Sequence, residues 1–240
     1  MTETALVVCI FAAALLYSSV GHAGASAYLA TMAMFGIAPE QMRPAALVLN
    51  ILVATIATFR FYRAGCFSWP IFWPYALASV PLAFLGGALT LPNTLYKQVV
   101  GLVLWYAAYR LFRNRVAAVR KRIPIPIALL CGAGIGLLSG LTGTGGGIFL
   151  SPILLIVGWA ETRQTAGVSA AFILVNSIAG VVGLLTKAVT LPSAIPYWAV
   201  AAVAGGLVGS ELGSKRLGNP TLRRLLAVVL VIAGTKLMLT

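Results

Sequence analysis

Apolar residues run along this chain in long blocks of helical length, separated by short polar or glycine-rich stretches. The first block covers about residues 5–36 and is interrupted by Gly21-His-Ala-Gly-Ala25. Further blocks cover about 44–62, 70–91 and 95–112, and a basic connector follows: Arg113, Arg115, Arg120, Lys121 and Arg122, ending at Pro124. The pattern then starts again with an interrupted block over about 127–158 and uninterrupted ones over 165–186, 192–212 and 222–239. Apolar blocks of this length predict transmembrane helices. The two interrupted blocks differ from the rest: about 32 residues at ~1.5 Å each would make ~48 Å of helix. That is too long for one upright crossing of a ~30 Å hydrocarbon core and too short for two. Each is therefore a discontinuous crossing or a re-entrant hairpin whose tip lies at mid-depth.

The recurrence is an internal repeat with an offset of 122 residues: Cys9 matches Cys131, Gly21 matches Gly143 and Gly36 matches Gly158. Ile51-Leu-Val-Ala-Thr-Ile-Ala57 matches Ile173-Leu-Val-Asn-Ser-Ile-Ala179 without a gap. The organisation expected is a first membrane repeat over 1–112, a linker over 113–124 and a second repeat over 125–240. Homologous halves of this kind are the usual build of secondary transporters.

Composition agrees with the membrane reading. The 240 residues are 60% hydrophobic and 9% charged, against roughly a quarter charged in a soluble domain. Acids are scarce, so the net charge of +13 reflects missing acids as much as abundant bases. The bases sit in short loops between apolar blocks, which excludes the basic soluble face of a nucleic-acid binder. They also bear on topology. With the connector placed in the cytoplasm, a re-entrant reading leaves only Arg43, Lys97, Lys187 and Lys236 outside, and a four-crossing reading leaves seven bases outside. The re-entrant reading is favoured. It gives three crossings per half and inverted repeats, with the two tips approaching each other near the midplane. Met1-Thr2-Glu3 lacks a basic n-region, so the first block is expected to be retained.

The chemistry is expected in the breaks. Gly140, Gly143, Gly145, Gly146 and Gly147 fall within eight residues, and such a cluster cannot hold a regular helix in a membrane. Unwound backbone survives there only where it is buried in protein or lines a cavity. A helix restarting near Ile148 aims its free N–H groups and the positive end of its dipole at the gap, which suits an anion. Packing glycines, by contrast, recur at helical spacing. Candidate donors at the tips are Ser139, Thr142 and Thr144 in the second half and Ser19, His22 and Ser26 in the first, with Gly21 and Gly24 shaping the first break. Any of the hydroxyls can instead bond back to its own helix. Asn50 and Asn176 lie deep in the second helix of each half, as ligand contacts or as helix–helix glue. His22 is the only histidine and can carry a proton near neutral pH. Glu211 is expected to pair with Lys215 at i,i+4, and Cys9 and Cys131 to be small packing residues.

Other classes fit less well. An intramembrane serine hydrolase would pair Ser139 with His22, but Gly136-Leu-Leu-Ser-Gly140 lacks the Gly-x-Ser-Gly spacing of rhomboid-like proteases. A cation exporter needs an intramembrane acid, and only Glu211 is offered. No enzyme activity, metal or cofactor is expected. A homo-oligomer is compatible with the sequence.

The block Gly-Leu-Thr-Gly-Thr-Gly-Gly-Gly-Ile-Phe-Leu-Ser-Pro152, the two broken blocks and the 4+4 repeat carry a resemblance. The chain resembles the TauE/SafE sulfite-exporter family, also called the toluene sulfonate uptake permease family, over nearly its whole length. The likeness is most specific in residues 143–152 and 165–171. It implies transport of sulfur-containing anions such as sulfite, sulfonates or thiosulfate across a bacterial inner membrane. The substrate-binding residues expected are Ser19, Gly21, His22, Gly24, Asn50, Ser139, Thr142, Gly143, Thr144, Gly145, Gly146, Gly147 and Asn176. The first half departs from the pattern, since Gly21–Ala25 is a degraded copy of Gly143–Gly147 and Ala30 stands where Pro152 would be.

Overall fold

A computed structural model describes residues 2–112, 124–187, 189–215 and 231–239 except 233 and 237. The basic connector, residues 216–230 and most of the last apolar block lie outside the described residues. The helices follow the apolar blocks: α1 (Thr2–Ser18), α2 (Ala25–Met34), α3 (Pro39–Arg63), α4 (Trp69–Ala88), α5 (Asn93–Phe112), α6 (Ile125–Thr142), α7 (Gly147–Val157), α8 (Thr162–Leu184) and α9 (Ile195–Lys215). Five of them are long and apolar enough to cross a membrane. Large apolar side chains such as Val8, Phe59, Leu77, Leu130, Val182 and Val200 face outward, as lipid-facing positions do. Trp69 and Tyr62 are exposed at the two ends of the α3–α4 turn, where amphipathic rings suit a membrane–water interface.

The interrupted blocks are hairpins with unequal limbs. Their first limbs have 17 and 18 residues, and their second limbs 10 and 11. Glycine contacts give the helix directions. On α6, Gly132, Gly136 and Gly140 rest in turn on the backbone of Tyr75, Ser79 and Ala83 in α4, so the two helices run the same way. On α9, Gly205, Gly209 and Gly213 rest on Phe11, Leu15 and Ser19, so α9 runs with α1. These glycines do recur at helical spacing, and they let backbones touch where any side chain would intrude.

Between α3 and α8 the register is reversed. Leu47 meets Gly180, whereas Phe61 packs with Ala166 and Ala170. Residue numbers fall in α8 as they rise in α3, so the equivalent central helices are antiparallel. The break residues obey the same exchange: Gly143 sits on Arg43, and its equivalent Gly21 sits on Ala166, next to Thr165, the equivalent of Arg43. Packing is likewise reciprocal, since α4 packs on α6 and α8 while α9 packs on α1 and α3.

Three expectations need correction. The breaks do not lie wholly at mid-depth. Gly143 meets Arg43 in the early turns of α3, and two residues later Gly145 meets Asn50, Ile173 and Ser177 at the middle of α3 and α8. The chain thus turns near one end and restarts its helix at the centre. Arg43 is not a loop charge: it is buried, with Nη1 donating to Leu89 O (2.9 Å) and Nη2 to Gly86 O and Gly87 O (both 2.6 Å). It caps the last carbonyls of α4, where no helical N–H remains to reach them. Glu211 also forms an ion pair with Arg60 of α3, since α9 runs alongside α3; the expected pair with Lys215 falls on a side chain outside the described residues. Cys9 is exposed, so of the two equivalent cysteines only Cys131 packs against the core.

Candidate functional site

The breaks form because their glycines take conformations other residues avoid. Gly143, Gly145 and Gly146 have φ of 83°, 74° and 81°, and Gly21 and Gly24 have 78° and 108°. Positive φ costs an L-residue roughly 1–2 kcal/mol. Gly143 N donates to Ser139 O at 2.8 Å, closing α6. Gly146 then opens α7, accepting from Phe149 N and Leu150 N at 3.0 and 3.1 Å.

The two breaks share one small cavity. It is lined by Tyr17, His22, Ala23, Gly24, Ala25 and Ser26 from the first hairpin, Thr144 and Ile148 from the second, and Ile173 from α8. The starts of α2 and α7 both border it, so two sets of helix N-terminal N–H groups face one space. About 180 Å³ there is not filled by atoms, counting the part open to the exterior, and the room inside it is barely that of a water molecule.

His22 ties the hairpins together. Its Nε2 lies 3.2 Å from Gly147 O and 3.0 Å from Ser151 Oγ, and its Nδ1 lies 3.2 Å from Val20 O. Ser151 continues to Ser169 Oγ of α8 at 2.7 Å. Ser139 has no part in this chain, so the structure does not assemble the Ser139/His22 pair of a hydrolase. Ser151 and Ser169 were missed as site residues from sequence. Ser151 stands inside the Ile148–Pro152 block, and its position one turn into α7 was the available signal.

The other expected residues separate into groups. Ser19 Oγ donates to Leu16 O at 2.7 Å and Thr142 Oγ1 to Leu138 O at 2.7 Å, so both bond back to their own helices. Thr144 Oγ1 lies 3.0 Å from Thr142 Oγ1; with the Thr142 proton already given to Leu138, Thr144 is the donor. Asn176 is glue: its Nδ2 donates to Phe172 O and its Oδ1 accepts from Ser79 Oγ of α4, both at 2.8 Å. Gly146 faces the apolar Ile135 and Phe172, and a Cβ there would lie 2.9 Å from each. Gly21 packs on backbone, and Gly147 offers its carbonyl to His22.

Asn50 is different. It is 0% exposed, and neither its Nδ2 nor its Oδ1 has a hydrogen-bond partner; the same holds for Oγ of fully buried Ser177 and Ser139. Asn50 and Ser177 converge on Gly145, where a Cβ would stand 2.8 Å from Asn50 Nδ2 and 3.0 Å from Ser177 Oγ. Leaving such a group unmet costs about 1–3 kcal/mol, and these atoms retain unused hydrogen-bonding capacity. Gly145 adjoins Thr144, which lines the cavity.

Comparison with known proteins agrees with this picture. The family model described as sulfite exporter TauE/SafE matches residues 6–237. A protein of Sinorhizobium fredii (strain NBRC 101917 / NGR234), named "Probable membrane transporter protein y4hK", is 39% identical over 239 residues, covering 97% of each chain. No solved structure matches.

Proposed function

Since this chain belongs to the TauE/SafE sulfite-exporter family and is a multi-pass membrane transporter, we propose that it carries small sulfur-containing anions across a bacterial inner membrane. One observation carries the reading: the unpartnered amide of Asn50 and the unpartnered hydroxyl of Ser177 close directly on the backbone of Gly145, next to Thr144 on the cavity wall. Sulfur oxyanions present several acceptor oxygens and take hydrogen bonds from amides, hydroxyls and helix N-terminal N–H groups without a charged partner. No carboxylate is among the residues lining the cavity, which suits a negative cargo.

The cavity in this conformation is too tight for such an anion, so binding one requires it to widen. The antiparallel pair α3 and α8 supports inverted halves, and alternating access then follows from rocking one half against the other. Export from a cell negative inside is electrically downhill by ~2.3 kcal/mol per charge per 100 mV, which is the direction we favour. The test is a thermal-shift screen of the purified protein against sulfite, thiosulfate, methanesulfonate, sulfate and acetate. Stabilisation by the first three, lost in Asn50→Ala, is expected. Equal stabilisation by acetate, or none by any sulfur anion, overturns the reading.

A further inference from the structure

We infer that His22 is the binding site of a proton taken up together with the anion, which makes the carrier a proton–anion cotransporter. The inference rests on the anion site proposed above and adds the coupling ion. It starts from hydrogen-bond valence. A neutral imidazole has one N–H and one lone pair, and an imidazolium has two N–H groups. In this structure both ring nitrogens of His22 face backbone carbonyls, Nδ1 toward Val20 O and Nε2 toward Gly147 O, each at 3.2 Å. Carbonyls only accept, so the imidazolium satisfies both and the neutral ring leaves one lone pair opposed to another.

The neutral ring nevertheless has a second arrangement in place. Ser151 Oγ lies 3.0 Å from Nε2 and 2.7 Å from Ser169 Oγ. With His22 neutral, Ser169 donates to Ser151, Ser151 donates to Nε2, and Nδ1–H donates to Val20 O. When Nε2 gains a proton, Ser151 turns its hydroxyl toward Ser169, and Nε2–H points at Gly147 O. The chain reverses by rotating hydroxyls, with no heavy atom displaced. A proton site of two stable states is thus built across the joint between the hairpins, on the wall of the cavity.

The groups facing His22 leave it the job of counter-charge. From α1 comes Tyr17, its ring edge-on at 6.3 Å and its hydroxyl accepting from Ser26 at 3.0 Å. From α2 comes Tyr28, packed on Gly24 with its hydroxyl donating to Ala23 O at 2.6 Å. The α7 and α8 sides offer Ser151 and Ser169, and the second break offers Thr144. Free phenols titrate near pH 10 and free imidazole near 6.5, so among these side chains the imidazole is the one chemically suited to exchanging a proton. An anion in the cavity and a proton on His22 then strengthen each other's binding by linkage. A divalent anion then crosses with one net negative charge instead of two, so its export stays electrically downhill by half as much, while a monovalent anion crosses without net charge.

The experiment uses the full-length protein in lipid nanodiscs and thiosulfate, an anion that does not titrate between pH 5.5 and 8.5. Calorimetry in buffers of different ionisation enthalpy reads affinity and protons taken up together. Wild type is expected to take up close to one proton per thiosulfate at the upper end of this range, with affinity falling up to about tenfold per pH unit. His22→Gln should bind with a flat pH profile and no proton uptake. Ser151→Ala removes the donor to the neutral ring but leaves Gly147 O for the charged one. Its pH profile should therefore move to higher pH, which keeps the idea testable if His22→Gln does not fold. A flat wild-type profile, a slope retained in His22→Gln, or a Ser151→Ala profile that stays or moves down overturns the proton site. Thiosulfate binding to none of the proteins at any pH overturns the anion site beneath it.

Discussion

The two hairpin breaks occupy matching positions 122 residues apart, yet they differ in what they leave unmet. At the first break the hairpin's own polar groups are paired: Ser19 with Leu16 O, Ser26 with Tyr17, Tyr28 with Ala23 O, and His22 with carbonyls and Ser151. The adjoining Thr165 hydroxyl of α8 lacks a partner. Around the second break, Asn50 and Ser177 sit buried with no partner, and a glycine stands between them. The two sites share a shape and divide the chemistry. One break holds the hairpins together and carries a titratable group; the other keeps open hydrogen-bonding capacity.

Adding one methyl group to each break is the most severe way to probe this difference. Gly21→Ala drives a Cβ into the Ala166 carbonyl, which is backbone and cannot turn aside, and adds positive-φ strain. A loss of about 3 kcal/mol or more is expected, at the upper end for overpacking plus strain, read as loss of monodisperse protein in size-exclusion chromatography. Gly145→Ala meets only side chains, Ile173, Asn50 and Ser177. It should fold with a penalty of about 1–2 kcal/mol and lose anion affinity at least tenfold. If Gly145→Ala folds and binds normally, the second break is a packing device like the first.

The two buried asparagines give the next largest contrast. Asn176→Ala removes the acceptor of Ser79 and should lower apo thermal stability by about 1–3 kcal/mol while anion affinity holds. Asn50→Ala should leave apo stability unchanged or raised, since it deletes two unsatisfied atoms, and should weaken anion binding by a comparable 1–3 kcal/mol. Reversal of that pattern would place the ligand at Asn176.

Smallest of all is Ser19→Ala. Its hydroxyl bonds back within α1, so stability and anion affinity should both stay within about 0.5 kcal/mol of wild type. A tenfold loss of affinity would put substrate at the first break after all.

Much of the architecture was legible from composition alone. Apolar blocks of membrane length became helices because a backbone in hydrocarbon must satisfy its own hydrogen bonds. Clustered glycines broke those helices where expected: α6 ends at Thr142 and α7 starts at Gly147. Glycines at four-residue spacing, such as 132, 136 and 140, stayed helical and packed on a neighbour. These outcomes are local, set by the conformational freedom of each residue and the solvent around it.

The division of labour among polar residues was settled only in three dimensions. Asn50 and Asn176 look alike in sequence, but Asn176 faces Ser79 across α4 while Asn50 faces a glycine. Gly145 and Gly146 are adjacent with nearly the same φ, yet one faces polar atoms and the other Ile135 and Phe172. Arg43 read as a surface charge until α4 brought three bare carbonyls to it. Glu211 found Arg60 on another helix. In each case the partner is remote in sequence, and the choice depends on the register and rotation of two helices packed side by side. Residue type determines what a side chain needs; tertiary structure decided which needs were met, and so which atoms remain for a ligand.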